Sequence, residues 1–312
     1  MLKIYKNFNL DKNHKRSILL IGNFDGLHLG HQKLFKLAKV YSKKFNVKIG
    51  VLTFNPLPSV FFNKNLKNYN LIDKEKKKHL FFKIGVDFVI IKNFNKKFSK
   101  ISYIKFIENI LKKKINPKFI FVSDNFRFGF KRRGGIKELK DKELSCNYKI
   151  VKPLPLRKEG KIVSSTLIRK LLQSGKLKKA NKLLNRKWEI YGIVKKGKQL
   201  GKKLGFPTCN IELNNYILPK SGVYSVKVKI KNFNKSLKGI ANLGFRPTFG
   251  GKKILLEVNL FNFSGNLYNK SLSVSFYNFI RKEKKFKNRE QLINQIGKDL
   301  KKAKYDLNKK ND

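Results

Sequence analysis

Two hydrophobic patterns divide the chain, and the change between them falls near Arg186. In the first part, short apolar runs recur at Ser17–Ile21, Val47–Phe54, Phe88–Ile91, Phe119–Val122 and Tyr148–Val151. An unbroken run of this length suits a strand covered on both faces, as in a parallel sheet. Between the runs the spacing becomes helical: Leu34, Leu37, Ala38 and Tyr41 share a face, and Lys74–Ile84 and Ser102–Ile115 also read as helices. Strands alternating with helices predict a parallel α/β sheet with right-handed crossovers, whose ligand lies beyond the carboxyl ends of the strands. Leu167–Leu184 carries two short helices punctuated by Gly175. After Trp188 the pattern shortens to strands and Gly/Pro turns: Glu189–Lys195, Val223–Ile230, Lys238–Leu243, Leu255–Phe261 and Leu272–Phe279. Such a series predicts a small antiparallel barrel. A closing helix follows from about Arg289 to Lys304, with Leu292, Ile296 and Leu300 along one stripe. The expected organisation is an α/β domain over 1–186 and a β-barrel domain with a C-terminal helix over 187–312.

Composition changes this picture little. The 312 residues are 41% hydrophobic and 12% aromatic, enough for two packed cores despite a formal charge of +55. That charge suggests nucleic acid. The lysines are spread over the whole length, however, and abundant Lys, Asn, Ile and Phe point to an AT-rich genome, so only nonspecific adhesion to polyanions at low salt is expected. Cys146 and Cys209 are the two cysteines, which gives no disulfide framework and fits a reducing cytoplasm. The N-terminal stretch MLKIYKNFNLDKNHKR lacks the features of a signal peptide, and no uncharged apolar run is long enough to span a bilayer. The expectation is a cytoplasmic protein with no membrane partner.

The first candidate chemistry follows the first apolar run, at GNFDGLHLGH (22–31). Gly22 and Gly26 allow a tight turn and a close ligand approach. A turn from strand into helix presents free N–H groups and the positive end of the helix dipole, which suits phosphate around Asn23, Phe24 and Asp25. His28 and His31, half of the chain's 4 histidines, sit three apart at the helix start, so both can reach one polyphosphate. Metal ligation by this pair would have Asp25 as its one nearby carboxylate and no cysteine. No Lys-Ser/Thr follows the glycines, so this is not a Walker loop. Two more stretches belong with it. VSDNFRFG (122–129) interleaves Asn125 and Arg127 with phenylalanines ahead of the basic Lys131–Arg133. SSTLIR (164–169) opens a helix with hydroxyls at its cap and Arg169 one turn inside, near the positive dipole end, where a cation is unfavourable unless an anion is present.

In the second part, GKKLGFPTCN (201–210) places Thr208 and Asn210 two apart on an extended chain, so their oxygens point to one side and can hold a hard cation such as Mg²⁺. Cys209 then points the other way and reads as packed. LEVNLFNFSGNLY (256–268) sets Glu257 among alternating apolar residues, where an unpaired carboxylate would be costly to bury. LGFRPTFGG (243–251) and FIRKEKKF (279–286) add Gly/Arg turns and charge.

The ten-residue stretch at 22–31 resembles the G-x-F-D-G-x-H-x-G-H form of the HxGH signature, which is similar to the start of the bifunctional bacterial riboflavin kinase/FAD synthetase family. The resemblance runs through six or more ordered motifs and nearly the whole chain. It implies a Rossmann-like nucleotidyltransferase domain followed by a riboflavin kinase barrel. It also implies that Ser164, Ser165, Thr166 and Arg169 line the ATP phosphate site with Gly22–Gly26, Asn125 and Arg127. In the barrel, PTCN resembles the family's PTAN motif, so Thr208 and Asn210 would hold Mg²⁺ and Gly201, Lys202 and Gly205 would meet ATP. Glu257 matches the catalytic base, while Arg246, Arg281 and Glu283 fall near the flavin. The implied reactions are phosphorylation of riboflavin to FMN by ATP, then adenylylation of FMN to FAD by a second ATP with release of pyrophosphate. The partners would be the small molecules ATP, riboflavin and FMN.

Several positions depart from the family pattern. Leu57 stands in TFNPLP where a histidine is usual, Ser123 replaces a glycine, Lys202 replaces an arginine, and Asn185 and Lys187 alter the pattern LLGRP. The change at Leu57 leaves open a riboflavin kinase whose first domain is only a scaffold. The charge leaves open a cationic nucleic-acid-binding protein, which lacks a localised basic-aromatic stripe in this sequence.

Overall fold

Ile18–Ile21 is a strand without an exposed side chain, and the first sheet is built around it. The computed structural model describes residues 2–309 except 198, 200, 202–203, 214, 232, 234 and 249–250, and the side chains of 245–248 and 251–253 also lie outside the description. The chain divides into two compact units, Met1–Lys67 with Lys74–Ser164, and Asn68–Asp73 with Ser165–Asp312.

The first unit holds strands β1 (Lys3–Tyr5), β2 (Ile18–Ile21), β3 (Ile49–Asn55), β4 (Phe88–Asn93), β5 (Phe119–Phe121) and β6 (Lys149–Val151). They form one sheet in the order β1-β4-β3-β2-β5-β6, with every neighbouring pair parallel. Alternate β2 residues enter two different cores: Leu19 and Ile21 one, Ile18 and Leu20 the other. Both faces are covered, which is why the run reads as unbroken. β1 was not visible in the apolar pattern, because two of its three residues are exposed and it holds by pairing along β4. A small hairpin, β7 (Arg157–Lys158) with β8 (Lys161–Ile162), lies near the unit's end.

Helix α1 (Leu29–Phe45) buries Leu34, Phe35 and Ala38 and ends at Asn46, whose left-handed backbone sends its N–H to the Ser42 carbonyl. Asparagine tolerates that conformation better than most residues. Helix α2 (Lys74–Ile84) joins β3 to β4. From β4 the chain passes to β5 on the far side of β2, so the strand order reverses between β2 and β5. In open parallel sheets the crevice beyond the carboxyl ends at such a reversal is where ligands bind.

The second unit is a closed antiparallel barrel in the order β10-β13-β12-β11-β14-β9. Its strands are β9 (Glu189–Lys195), β10 (Cys209–Glu212), β11 (Gly222–Ile230), β12 (Ser236–Thr248), β13 (Gly251–Leu260) and β14 (Ser271–Arg281). β10, which the sequence pattern left as a motif-bearing extended stretch, closes the barrel by pairing with β9 and β13. Helices α3 (Ser165–Gln173) and α4 (Leu177–Leu184) contribute Leu172, Leu177, Ala180 and Leu184 to the barrel's hydrophobic cluster. Asn68–Asp73 joins them as a strap: Trp188 Nε1 donates to the Leu71 carbonyl (2.9 Å), Tyr216 to Asp73 (2.7 Å) and Arg169 Nε to the Tyr69 carbonyl (2.8 Å). Helix α5 (Arg289–Asn308) packs against β11, β12 and β14. Among the described residues no helix is long and apolar enough to cross a membrane.

Asn181 on α4 ties that helix to the barrel through two buried bonds, donating to the Phe276 carbonyl (3.0 Å) and accepting from the Trp188 N–H (2.7 Å). Asn181→Ala leaves both backbone groups unsatisfied, at about 1–3 kcal/mol each. The expected result is a second unit destabilised by roughly 2–4 kcal/mol. Denaturation followed by the fluorescence of Trp188, the chain's only tryptophan, measures it.

Candidate active sites

After β2 the chain turns through 22–27 before α1 begins. Phe24, Gly26 and Leu27 all have positive φ, at 47°, 82° and 43°. For Phe24 and Leu27 this costs on the order of 1–2 kcal/mol each. Their side chains are 2% and 1% exposed, and burial of that size offsets the strain. The turn is pinned at Asn23, whose carbonyl accepts from Thr53 Oγ1 (3.2 Å) and Lys77 Nζ (2.9 Å). Burial pulls the Lys77 ammonium below the ordinary lysine range, and the buried Asp25 carboxylate opposes that shift in part.

His28 caps α1 through its extended backbone and its carbonyl, which accepts from Gln32 N–H at 2.9 Å. Its ring stacks on His31 with centroids 3.7 Å apart and planes 22° from parallel, and Phe24 meets His31 edge-on at 5.2 Å. The pair is therefore oriented as one unit at the helix start. Gly30 makes room for it: a Cβ there would lie 3.0 Å from the Val163 carbonyl and 3.2 Å from the His28 ring. Among the described residues no group of three His, Cys, Asp or Glu side chains could hold a metal.

Across the strand reversal, the loop after β5 holds Asn125, whose Oδ1 accepts from Ser123 Oγ (3.1 Å), while Asp124 pairs with Lys152. Arg127 lies over Gly135 beside Glu138. The Glu138 carboxyl is held below its usual range, first by backbone N–H groups, one of them from Gly135 at 2.6 Å, and then by the Arg127 charge. Leu57, where the family has histidine, is 7% exposed and caps the short helix Pro58–Phe62. Beyond it Phe54, Phe61, Phe62, Phe94 and Phe98 form a chain of ring contacts, with Phe62 68% exposed. Sequence reasoning missed this cluster because its members come from four separate segments. Ser164 ends the first unit, whereas Ser165, Thr166 and Arg169 belong to the second. There Arg169, 7% exposed, also lies 3.7 Å over the Tyr69 ring and so fastens the strap.

The second site lies on the outer wall of the barrel. Leu256 and Val258 are in the barrel core, so alternation turns Glu257 outward. Asn210 and Asn242 sit directly opposite Glu257 on β10 and β12, which places all three on one face. A cavity of about 330 Å³ opens there, lined by Thr208, Asn242, Glu257, Asn259, Arg281 and Glu283 on the barrel side. Leu292, Ile296 and Leu300 of α5 form its opposite wall. Thus the apolar stripe read from the sequence faces a cavity as well as the barrel. Asn259 Nδ2 donates to the Pro207 carbonyl (2.7 Å) and holds the PTCN stretch against β13.

Cys209 points into the core and donates to the Val258 carbonyl at 3.4 Å; burial pushes its thiol up to about 11. It is packed, as its place between Thr208 and Asn210 requires. Asn210 is 7% exposed and its Oδ1 has no hydrogen-bond partner among the described residues. Gly197 lies against the Asn210 amide, where a Cβ would strike it. Gly201 lines the cavity beside Thr208 and accepts from the Phe206 N–H (2.8 Å), and Gly205 has φ 85°. Arg281 is engaged by Asp299 of α5, with Nε 2.8 Å and Nη2 2.7 Å from Oδ2. Glu283 reaches over the Gly244 backbone. Lys202 and the Arg246 side chain lie outside the described residues. The residues that sequence reasoning passed over here are Asn242, Asn259 and Asp299. Asn242 and Asn259 share alternation with recognised positions, which was the available signal.

Comparison with known proteins gives the two units a class. A family model described as FAD synthetase matches residues 10–167, and one described as riboflavin kinase matches residues 184–307. The two units thus carry a nucleotidyltransferase module and a kinase module on one chain. The chain belongs to the bifunctional riboflavin kinase/FMN adenylyltransferase family: it is 42% identical over 295 residues to the member from Buchnera aphidicola subsp. Schizaphis graminum, with 94% of each covered. It is 36% identical to the member from Haemophilus influenzae (93% of this chain, 94% of the relative) and 33% to that from Bacillus subtilis (92% of each). A solved structure described as a macrolide-efflux protein from Streptococcus pneumoniae superposes with a TM-score of 0.85 at 27% identity, covering 97% of this chain and 98% of that one.

Gly30 offers a direct test of the histidine geometry. Gly30→Val forces side-chain atoms against the Val163 carbonyl and the His28 ring. The expected outcome is at least a ten-fold loss of adenylyl transfer to FMN, in line with the sensitivity of catalysis to ångström misplacement. Phosphorylation of riboflavin by the same preparation should be retained.

Proposed function

We propose that this chain phosphorylates riboflavin at the barrel cavity and adenylylates FMN at the crevice of the parallel sheet, with the two activities divided at 186/187. The observation that carries the kinase assignment is Glu257, set on the outer wall within a cavity bounded by α5. The riboflavin 5′-oxygen attacks the ATP γ-phosphorus, the bond from that phosphorus to the β–γ bridging oxygen breaks, and ADP leaves. Glu257 takes the hydroxyl proton and orients the attacking oxygen. The orphaned buried Oδ1 of Asn210 suits a hard cation, so Thr208 and Asn210 would hold Mg²⁺, which neutralises phosphate charge when bound. Arg281, fixed by Asp299, shapes the cavity while its own charge is balanced.

For the second reaction, an FMN phosphate oxygen attacks the ATP α-phosphorus and pyrophosphate departs with the electrons of the broken Pα–O bond. No protein nucleophile is needed. The stacked His28 and His31, at the positive end of α1, stabilise the added negative charge on the pentavalent phosphorus. The phenylalanine cluster around Phe62, its rings meeting edge-to-face, offers an apolar surface suited to the flavin ring rather than to a triphosphate.

The direct test is chromatography of the products formed from riboflavin, ATP and Mg²⁺, which should show FMN and then FAD. Single substitutions should separate the steps. Glu257→Gln is expected to lower FMN formation by roughly two to four orders of magnitude while sparing adenylylation of supplied FMN. His28→Ala should abolish FAD formation and leave the kinase near normal. Loss of both activities from either folded variant would refute the two-site reading.

A further inference from the structure

Lys77 lies in a run of lysines on α2 and is half-buried, as Lys76 and Lys78 on either side are; Lys78 pairs with Glu75 along the helix. Lys77 makes a different contact. Its Nζ reaches the Asn23 carbonyl at 2.9 Å, across 54 residues of sequence, and lies within the field of the buried Asp25 carboxylate. Thr53 Oγ1 donates to the same oxygen at 3.2 Å. One carbonyl of the turn between β2 and α1 therefore takes two side-chain donors from two different elements.

The consequence follows from peptide geometry. In a trans peptide the C=O and N–H of one plane point in opposite directions. Drawing the Asn23 carbonyl toward α2 and β3 therefore aims the Phe24 N–H the opposite way. It also steadies a turn that holds positive φ at Phe24, Gly26 and Leu27 and has Phe24 against His31 at its end. We propose that Lys77 is a positioning residue for adenylyl transfer, clamping the Asn23–Phe24 peptide so that the turn and the His28/His31 pair meet the ATP phosphates in one fixed arrangement. The inference rests on the reading that the crevice beside His28 is the ATP site.

The test compares Lys77→Met and Lys77→Arg with the unaltered chain and with His28→Ala. Steady-state adenylylation of FMN, ATP binding by calorimetry without FMN, hydrogen exchange at the Phe24 amide and thermal melting are measured on each. Riboflavin phosphorylation by the same molecules serves as the internal control. Lys77→Met is expected to lower kcat/KM for ATP by about 10–100-fold, the scale of a misplaced reacting group, to weaken ATP binding and to speed Phe24 exchange, with the kinase intact. Lys77→Arg, which keeps a charged donor, should recover most of the loss. If Lys77→Met keeps kcat/KM within two-fold, Lys77 has no such role. Equal loss in both variants, accompanied by lowered melting, would mark it as merely structural and overturn the proposal. His28→Ala separates the two levels: activity retained there would remove the ATP-site reading itself, whereas activity lost there and kept in Lys77→Met would remove only the Lys77 inference.

Discussion

The first unit depends on β2 being buried on both faces. A strand whose four side chains all enter hydrophobic cores cannot carry chemistry along its length. Polar function is pushed to the point where the strand stops, and the glycine-bearing turn and α1 begin there. The barrel solves the opposite problem. Each of its strands has one face in the core and one outside it, so a polar side chain can sit in mid-strand, as Glu257, the proposed base, does between Leu256 and Val258. Covering that outer face with α5 then leaves a cleft between helix and wall. One sheet works at its edge of termination, the other through its wall.

This contrast explains what could be read from the sequence. Unbroken apolar runs and alternating ones are local properties, so β2 to β6 and most barrel strands were legible, as was the stripe on α5. So was the position of the glycine turn, because it follows directly on a run. What escaped depends on register. β1 is held by partners 85 residues away, Lys3 against Phe88 among them, and β10 closes the barrel only when it is set beside β13. Nothing local marks the strap Asn68–Asp73 as part of the second unit; its backbone and side chains find their partners at Asn215, Tyr216, Trp188 and Arg169. Asn242 is unremarkable in a chain rich in asparagine until pairing sets it opposite Glu257.

Charge misleads for a related reason. With 74 Lys and Arg, the identity of a basic residue carries almost no information. Burial does. Among the described residues the Asp, Glu, Lys and Arg side chains that are fully buried are Asp25, Arg169 and Asp299. Removing a charge from water costs several kcal/mol unless it is paired and hydrogen-bonded, so each such residue needs a compensating arrangement. Asp25 has the nearby Lys77 ammonium, Arg169 the Tyr69 carbonyl and ring, and Asp299 the Arg281 guanidinium. Two of these pairings stand at the proposed sites, and the third organises the strap.

The Arg281–Asp299 pair also bears on how the kinase cavity stays open. Helix α5 could bury its apolar stripe fully by settling onto the barrel, which would close the space beside Glu257. Asp299 is on that helix one turn from both Gln295 and Ala303, and Gln295 Nε2 donates to its Oδ1 at 3.0 Å. The Gln295 bond orients the Asp299 carboxylate on its own helix, and the two-pronged contact from Arg281 ties that carboxylate to the wall, because a planar guanidinium tolerates little displacement of its carboxylate. Leu292, Ile296 and Leu300 line this space as well as facing the barrel. If this cavity takes riboflavin as proposed, an apolar wall held apart by an ion pair keeps hydrophobic free energy for a planar, largely apolar ring to release on entry.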